Sequence, residues 1–130
     1  MKGLLQSEDT VIMMTCLRKL GADFAWEGAN RDVLRIEGTG GKLLAHPDEL
    51  YVSNAGTAAR FLATALTLVQ AHEGIDSMIL TGNERMNTGR PIHDLVNSLR
   101  SVNCAIECKG KEGYLPIDVK SVGSFPGGRI

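Results

Sequence analysis

Residues 51–69, Tyr-Val-Ser-Asn-Ala-Gly-Thr-Ala-Ala-Arg-Phe-Leu-Ala-Thr-Ala-Leu-Thr-Leu-Val, constrain the fold more than any other stretch. A short β-prone run passes through Ser53-Asn54-Ala55-Gly56-Thr57 straight into a nearly all-apolar segment of helical length. A helix apolar on almost every side is expected between the layers of a core. Its first N–H groups lack intrahelical acceptors, and the macrodipole adds partial positive charge there. Gly56 carries no Cβ, so an anion can approach the backbone closely. Arg60, one turn in, either adds charge or braces the turn. A ligand-free account fits the same residues, with Asn54 or Thr57 as N-cap and Arg60 snorkelling or paired with a carboxylate. This stretch alone leaves both accounts standing.

The flanking pattern predicts a mixed α/β fold. Over residues 8–20, Ile12, Met13, Cys16, Leu17 and Leu20 recur at helical intervals, and Gly21 supplies a stop. Asp-Phe-Ala-Trp-Glu-Gly and Val-Leu-Arg-Ile-Glu-Gly read as two strands about the polar turn at 29–32. Further strands are expected in Leu-Tyr-Val-Ser-Asn, in 77–83, in Ala-Ile-Glu-Cys-Lys-Gly and in Pro-Ile-Asp-Val-Lys-Ser-Val, the last two joined by Lys111-Glu112-Gly113. Residues 91–102 place Ile92, Leu95, Val96 and Leu99 on one helical face, with Pro91 suited to the first helical position. The order over 50–122 is therefore β-α-β-α-β-β. Residues 1–49 read as α-β-β, the second half of a like unit, and 123–130 as the start of the next, so both ends read as cut. Gly-Thr-Gly-Gly-Lys-Leu-Leu does not make a Walker loop, because Leu43 stands where Ser or Thr must be.

A second stretch shifts the balance toward an anion site. Leu-Thr-Gly-Asn-Glu-Arg-Met-Asn-Thr-Gly-Arg-Pro, from residue 80, leaves a strand and carries Arg85 and Arg90 in a Gly/Asn loop. Ligands of α/β folds collect at the carboxyl ends of strands, and the strands at 50–55 and 77–83 are candidate neighbours. The guanidinium fork suits carboxylate or phosphate. Against this, Arg85 also fits a solvated loop charge, and Arg90 also fits a partner for Asp94. His46 and His72 read as solvated loop residues, His93 as an exposed helical one. Glu8 and Asp9 suit the start of a helix better than acid–base work.

A formal net charge of −1 and 5% aromatic residues leave neither a basic surface nor stacking platforms for nucleic acid. Cys16, Cys104 and Cys108 are odd in number and lack CxxC spacing, which predicts free thiols. Cys104 and Cys108 are placed on one face of a strand, with too few partners for a metal site. The apolar run at 61–69 is too short to span a bilayer, and no signal peptide opens the sequence, so a soluble, cytoplasmic protein without a membrane is expected.

Asn-Ala-Gly-Thr-Ala-Ala-Arg-Phe, followed by Leu-Thr-Gly-Asn-Glu-Arg-Met and then Arg-Pro-Ile, resembles the 5-enolpyruvylshikimate-3-phosphate (EPSP) synthase family. Phe61 and the closing Ser-Val-Gly-Ser-Phe-Pro-Gly-Gly-Arg-Ile are most similar to the version fused into the fungal five-activity polypeptide. The sibling transferase acting on UDP-N-acetylglucosamine shares the fold but not the Arg-Met…Arg-Pro-Ile signature. The resemblance implies an enolpyruvyl transferase fold, an inside-out α/β barrel of β-α-β-α-β-β units, with 1–130 a middle part of the first of two domains. It implies transfer of the enolpyruvyl group of phosphoenolpyruvate to the 5-hydroxyl of shikimate 3-phosphate, with no metal or organic cofactor. Gly56 and Arg85 would contact phosphoenolpyruvate, with Asn54, Thr57, Arg60 and Arg90 in support. The acid–base residues and further shikimate-phosphate contacts would come from the rest of the enzyme, above all its C-terminal domain, leaving the isolated chain inactive. Two departures stand out: Ser53 replaces a glycine, and Arg85-Met86-Asn87-Thr88-Gly89-Arg90 is one residue longer than the family pattern. A non-catalytic interaction module reusing the fold is the alternative from another class.

Overall fold

The computed structural model describes residues 1–121. The expected start of a further unit at 123–130 lies outside the described residues.

The first helix, α1 (Glu8–Lys19), opens on a reciprocal cap in which Ser7 Oγ accepts from the Thr10 amide and Thr10 Oγ1 accepts from the Ser7 amide. Glu8 and Asp9 occupy its first turn and Arg18 and Lys19 its last, matching the macrodipole at both ends. Gly21 then turns the chain at φ +105°, where a side chain would be strained. The antiparallel hairpin β1 (Asp23–Glu27) and β2 (Val33–Glu37) follows, with Trp26 opposite Leu34 and Phe24 opposite Ile36. Met14, Phe24 and Leu34 form a small core under it, and Arg18 lies over the Phe24 ring.

The second sheet has the order β3-β4-β6-β5: β3 (Leu50–Tyr51), β4 (Ser77–Thr81), β5 (Ile106–Cys108) and β6 (Ile117–Lys120). β3 and β4 are parallel, Leu50 opposite Leu80, so their connection must cross over the sheet, and α2 (Gly56–Leu66) does so. β6 runs antiparallel to both β4 and β5. The main core is the seam between this sheet and the helices, where Leu50, Leu80, Ile117 and Val119 meet Leu62, Leu66, Val96 and Leu99. The hairpin is thus as expected, and the β-α-β-α-β-β order holds but for one added short helix between β4 and the last helix; β3 keeps ladder pairing for only two residues.

Four local expectations are corrected. Residues 83–90 are not an open loop: α3 (Glu84–Gly89) occupies them, begun by Asn83 Oδ1 accepting from the Met86 amide and anchored by fully buried Met86. The last helix, α4 (His93–Ser101), starts after Pro91, because the Ile92 amide turns aside to the Gly113 carbonyl at 2.8 Å and Ile92 becomes its N-cap. Cys104 precedes β5 and is buried, whereas Cys108 lies within β5 and is half-exposed, so the two do not share a strand face; both are free thiols, as is Cys16. The fourth correction concerns α2. Ala58, Ala59, Leu62, Ala63 and Leu66 are buried, but Phe61 is 67% exposed and Leu68, just past the helix, 47%. Among the described residues only one face of α2 is covered. No helix among them is long and apolar enough to cross a membrane.

Candidate anion-binding site

β3 and β4 end side by side, and their loops are sewn together by backbone. Val52 N–H donates to the Thr81 carbonyl at 2.8 Å, and Asn83 N–H to the Ser53 carbonyl at 2.9 Å. Gly82 is pinned between them: an added Cβ would stand 2.7 Å from the Ser53 oxygen. Ser53 sits at φ +48°, a region that favours glycine, and its hydroxyl is 3.3 Å from Glu8 Oε1, tying the loop to α1.

The start of α2 is not capped by either candidate. Ala55 occupies the N-cap, with its own amide bonded to the Val52 carbonyl and no side chain to offer. Asn54 and Thr57 face the opening instead, and the amides of Gly56, Thr57 and Ala58 have no acceptor among the described residues. Three uncommitted donors at a helix start are an anion cradle in waiting.

Two guanidiniums stand around Gly56. Arg60 Nη1 donates to the Gly56 carbonyl at 3.0 Å and Nη2 to the Pro91 carbonyl at 3.1 Å. Arg90 Nη1 donates to the Asn54 carbonyl at 2.7 Å. Arg90 therefore closes back on the turn rather than pairing with Asp94, which is bound by His93 at 2.9 Å on an exposed surface. A Cβ on Gly56 would lie 3.0 Å from Arg90 Nη1 and 3.2 Å from Arg60 Nη1, so glycine is what lets both charges approach the helix start. Among the described residues neither arginine ends on a carboxylate, and each keeps N–H groups to spare.

Asn54, Gly56, Thr57, Arg60 and Arg90 line one open cleft of about 540 Å³, with Asp9 of α1 at its margin. Asn54 Oδ1 is buried there without a donor. Such an orphan acceptor awaits a ligand or water proton. Arg85 is placed differently: it is exposed on α3, outside the cleft lining, with no hydrogen-bond or ion-pair partner among the described residues. Five of the six expected residues are thus brought together, and the sixth stands on the neighbouring element.

Three contributors escaped the sequence reading. Asp9 was read as helix charge alone. Asn83 caps α3, and Asn87 clamps its base: Asn87 Oδ1 accepts from the Gly82 amide at 3.0 Å, and Nδ2 donates to the Gly82 carbonyl at 3.0 Å. An Asn immediately before Glu-Arg-Met is a helix-start signal that could have found α3. A second depression, of about 440 Å³ at the opposite end of β4, is lined by Asp76, Glu107 and Asp118 against Lys120, and its charge disfavours an anion. Among the described residues no three His, Cys, Asp or Glu side chains gather as a metal site.

Residues 1–130 match the family described as EPSP synthase (3-phosphoshikimate 1-carboxyvinyltransferase). An EPSP synthase structure from Acinetobacter baumannii superposes with a TM-score of 0.77 at 26% identity, covering 93% of this chain and 26% of that one. A further EPSP synthase structure from the same organism gives 0.76 at 26% identity, over 92% of this chain and 26% of that one. The chain spans about a quarter of the length of these structures.

Proposed function

The chain belongs to the EPSP synthase family, and on that premise we propose that it supplies the phosphoenolpyruvate-binding loops of a 3-phosphoshikimate 1-carboxyvinyltransferase. In that reaction the enolpyruvyl group of phosphoenolpyruvate passes to the 5-hydroxyl of shikimate 3-phosphate and phosphate leaves. The observation that carries the reading is the open start of α2, where the Gly56, Thr57 and Ala58 amides are uncommitted and flanked by Arg60 and Arg90. Donors fixed in place before the ligand arrives need no reorganisation when it binds. Gly56 and Arg85 contact phosphoenolpyruvate, the latter from a guanidinium that no protein group engages among the described residues; Asn54, Thr57, Arg60 and Arg90 hold the loop in shape.

The remaining groups come from the rest of the enzyme. Residues 50–122 form one complete repeat unit and 1–49 the second half of another, within an N-terminal domain. The cleft here is open to water and offers arginines, amides and a single carboxylate, Asp9. The acid and base are therefore supplied by the C-terminal domain, which also excludes water on closure. The exposed apolar strip of Phe61 and Leu68 is where the rest of the enzyme packs. The full enzyme works in the cytoplasm.

Amide chemical shifts test this directly. Phosphoenolpyruvate added to the isolated chain is expected to move Gly56 and Thr57 weakly and in a salt-sensitive way, and Arg85→Ala to abolish the response. An unchanged response in the variant would remove Arg85 from the site; no response in the parent chain would remove the site. Steady phosphate release dependent on shikimate 3-phosphate from this chain alone would contradict the division of labour.

A further inference from the structure

Ser53 is held in a conformation that its residue type resists. The Ala55 amide donates to the Val52 carbonyl at 2.9 Å, closing a turn over 52–55, and Ser53 fills the first central position of that turn at φ +48°. A positive φ there is glycine's place, and a residue with a Cβ persists in it only where its surroundings hold it. Two bonds do so. The Asn83 amide donates to the Ser53 carbonyl at 2.9 Å, and the Ser53 hydroxyl donates to Glu8 Oε1 at 3.3 Å. The second is a bond that glycine could not make.

That bond is the last of three by which α1 follows the chain into the turn. Lys19 Nζ donates to the Glu49 carbonyl at 2.8 Å, Cys16 Sγ lies 3.7 Å from the Tyr51 carbonyl, and Glu8 takes Ser53. Immediately beyond Ser53 come Asn54, whose carbonyl holds Arg90, and the start of α2 at Gly56. On α1 the residue after Glu8 is Asp9, at the margin of the cleft. We propose that Ser53 and Glu8 form a latch that positions the turn for its anion. The hydroxyl–carboxylate bond joins the start of α1 to the turn, so that Asn54 and the first amides of α2 stand aligned before the ligand arrives. Both residues lie outside the cleft lining and act through the turn, as positioning residues. A turn already ordered loses less freedom on binding, and that is the source of the affinity gained. The inference rests on the phosphoenolpyruvate reading of the site and adds to it the part played by α1.

The test is a phosphoenolpyruvate titration of the whole chain, read at the Gly56 and Thr57 amides, for the parent, Ser53→Ala, Glu8→Ala and Glu8→Gln. S53A keeps the backbone demand and loses only the hydroxyl. E8A and E8Q both remove a negative charge, but only E8Q keeps an oxygen to accept from Ser53. S53A is expected to bind about three- to tenfold more weakly than the parent, and E8A more weakly than E8Q by a similar factor. The double variant S53A/E8A should bind no more weakly than E8A alone, because both changes break one bond. Melting temperatures are expected to stay close to the parent's, which separates positioning from a merely structural role. Equal affinities for S53A and the parent, or for E8A and E8Q, would overturn the latch, as would any gain in affinity on losing the hydroxyl. Should S53A fail to fold, E8A and E8Q decide by the same criterion. If the parent chain itself gives no response, the phosphoenolpyruvate reading falls and exchange of the Ala55 and Asn83 amides decides the latch: faster exchange in S53A supports it, unchanged exchange overturns it.

Discussion

Gly56 shows how a single position separates stability from binding. Its φ is not in the left-handed region, and alanine is the better helix former, so Gly56→Ala loses nothing from backbone strain. The new methyl would instead press on the ends of two flexible guanidiniums, which can move aside. Thermal stability is therefore expected to stay within about 0.5 kcal/mol of the parent. Phosphoenolpyruvate affinity is expected to fall about tenfold as the charges leave the helix start; calorimetric melts and shift titrations measure the two separately. At Glu112 the linked quantity is pH. The hydrogen bond from Arg100 holds its carboxyl below the usual carboxylate range. A depressed folded-state pKa stabilises above the unfolded value, about 4.3 for glutamate, and that contribution is lost as pH falls through the lower, folded value. Urea midpoints of the parent and Glu112→Gln should therefore differ at neutral pH and converge in acid; a gap that persists in acid would assign the effect to something other than this ionisation. At this scale the sequence was informative about Gly56, Arg60 and the glycine-preferring turn, because residue type alone limits what they can do. It named Arg90 but not its partner, which is the Asn54 carbonyl 36 residues away.

The elements that could be read were those long enough to show a period. α1 carried a capping pair, graded charge and a glycine stop, β1 alternated cleanly, and β2 did so in residue type from Leu34 on. α3 was missed because six residues hold too little periodicity, and its start rests on Asn83 rather than on an apolar stripe. The face of α2 was misjudged because an apolar composition predicts burial without saying by what. α3 also depends on Asn87, whose carboxamide serves both polar groups of Gly82. Asn87→Ala removes those bonds and leaves the Gly82 amide without its partner, a loss of about 1–3 kcal/mol. Faster exchange of the Gly82 amide, with no loss of protection in the hairpin, is the expected signature; unaltered exchange would show that the clamp is idle.

Taken whole, the described chain packs around two cores of unequal size that share α1. Leu17 packs against both, so the hairpin and the larger sheet are coupled through one side chain. Unfolding followed by far-ultraviolet dichroism and by tryptophan emission is expected to give coincident curves, with an early emission change as the mark of a hairpin that melts first. Leu17→Ala should separate the two curves by weakening the shared contact, at a cost below the roughly 2–5 kcal/mol of a fully buried leucine because Leu17 is only half-buried. The only tryptophan, Trp26, lies in the hairpin and packs on the smaller core. Indole light therefore samples the smaller core and not the start of α2, so fluorescence alone does not report whether the turn at Gly56 is intact.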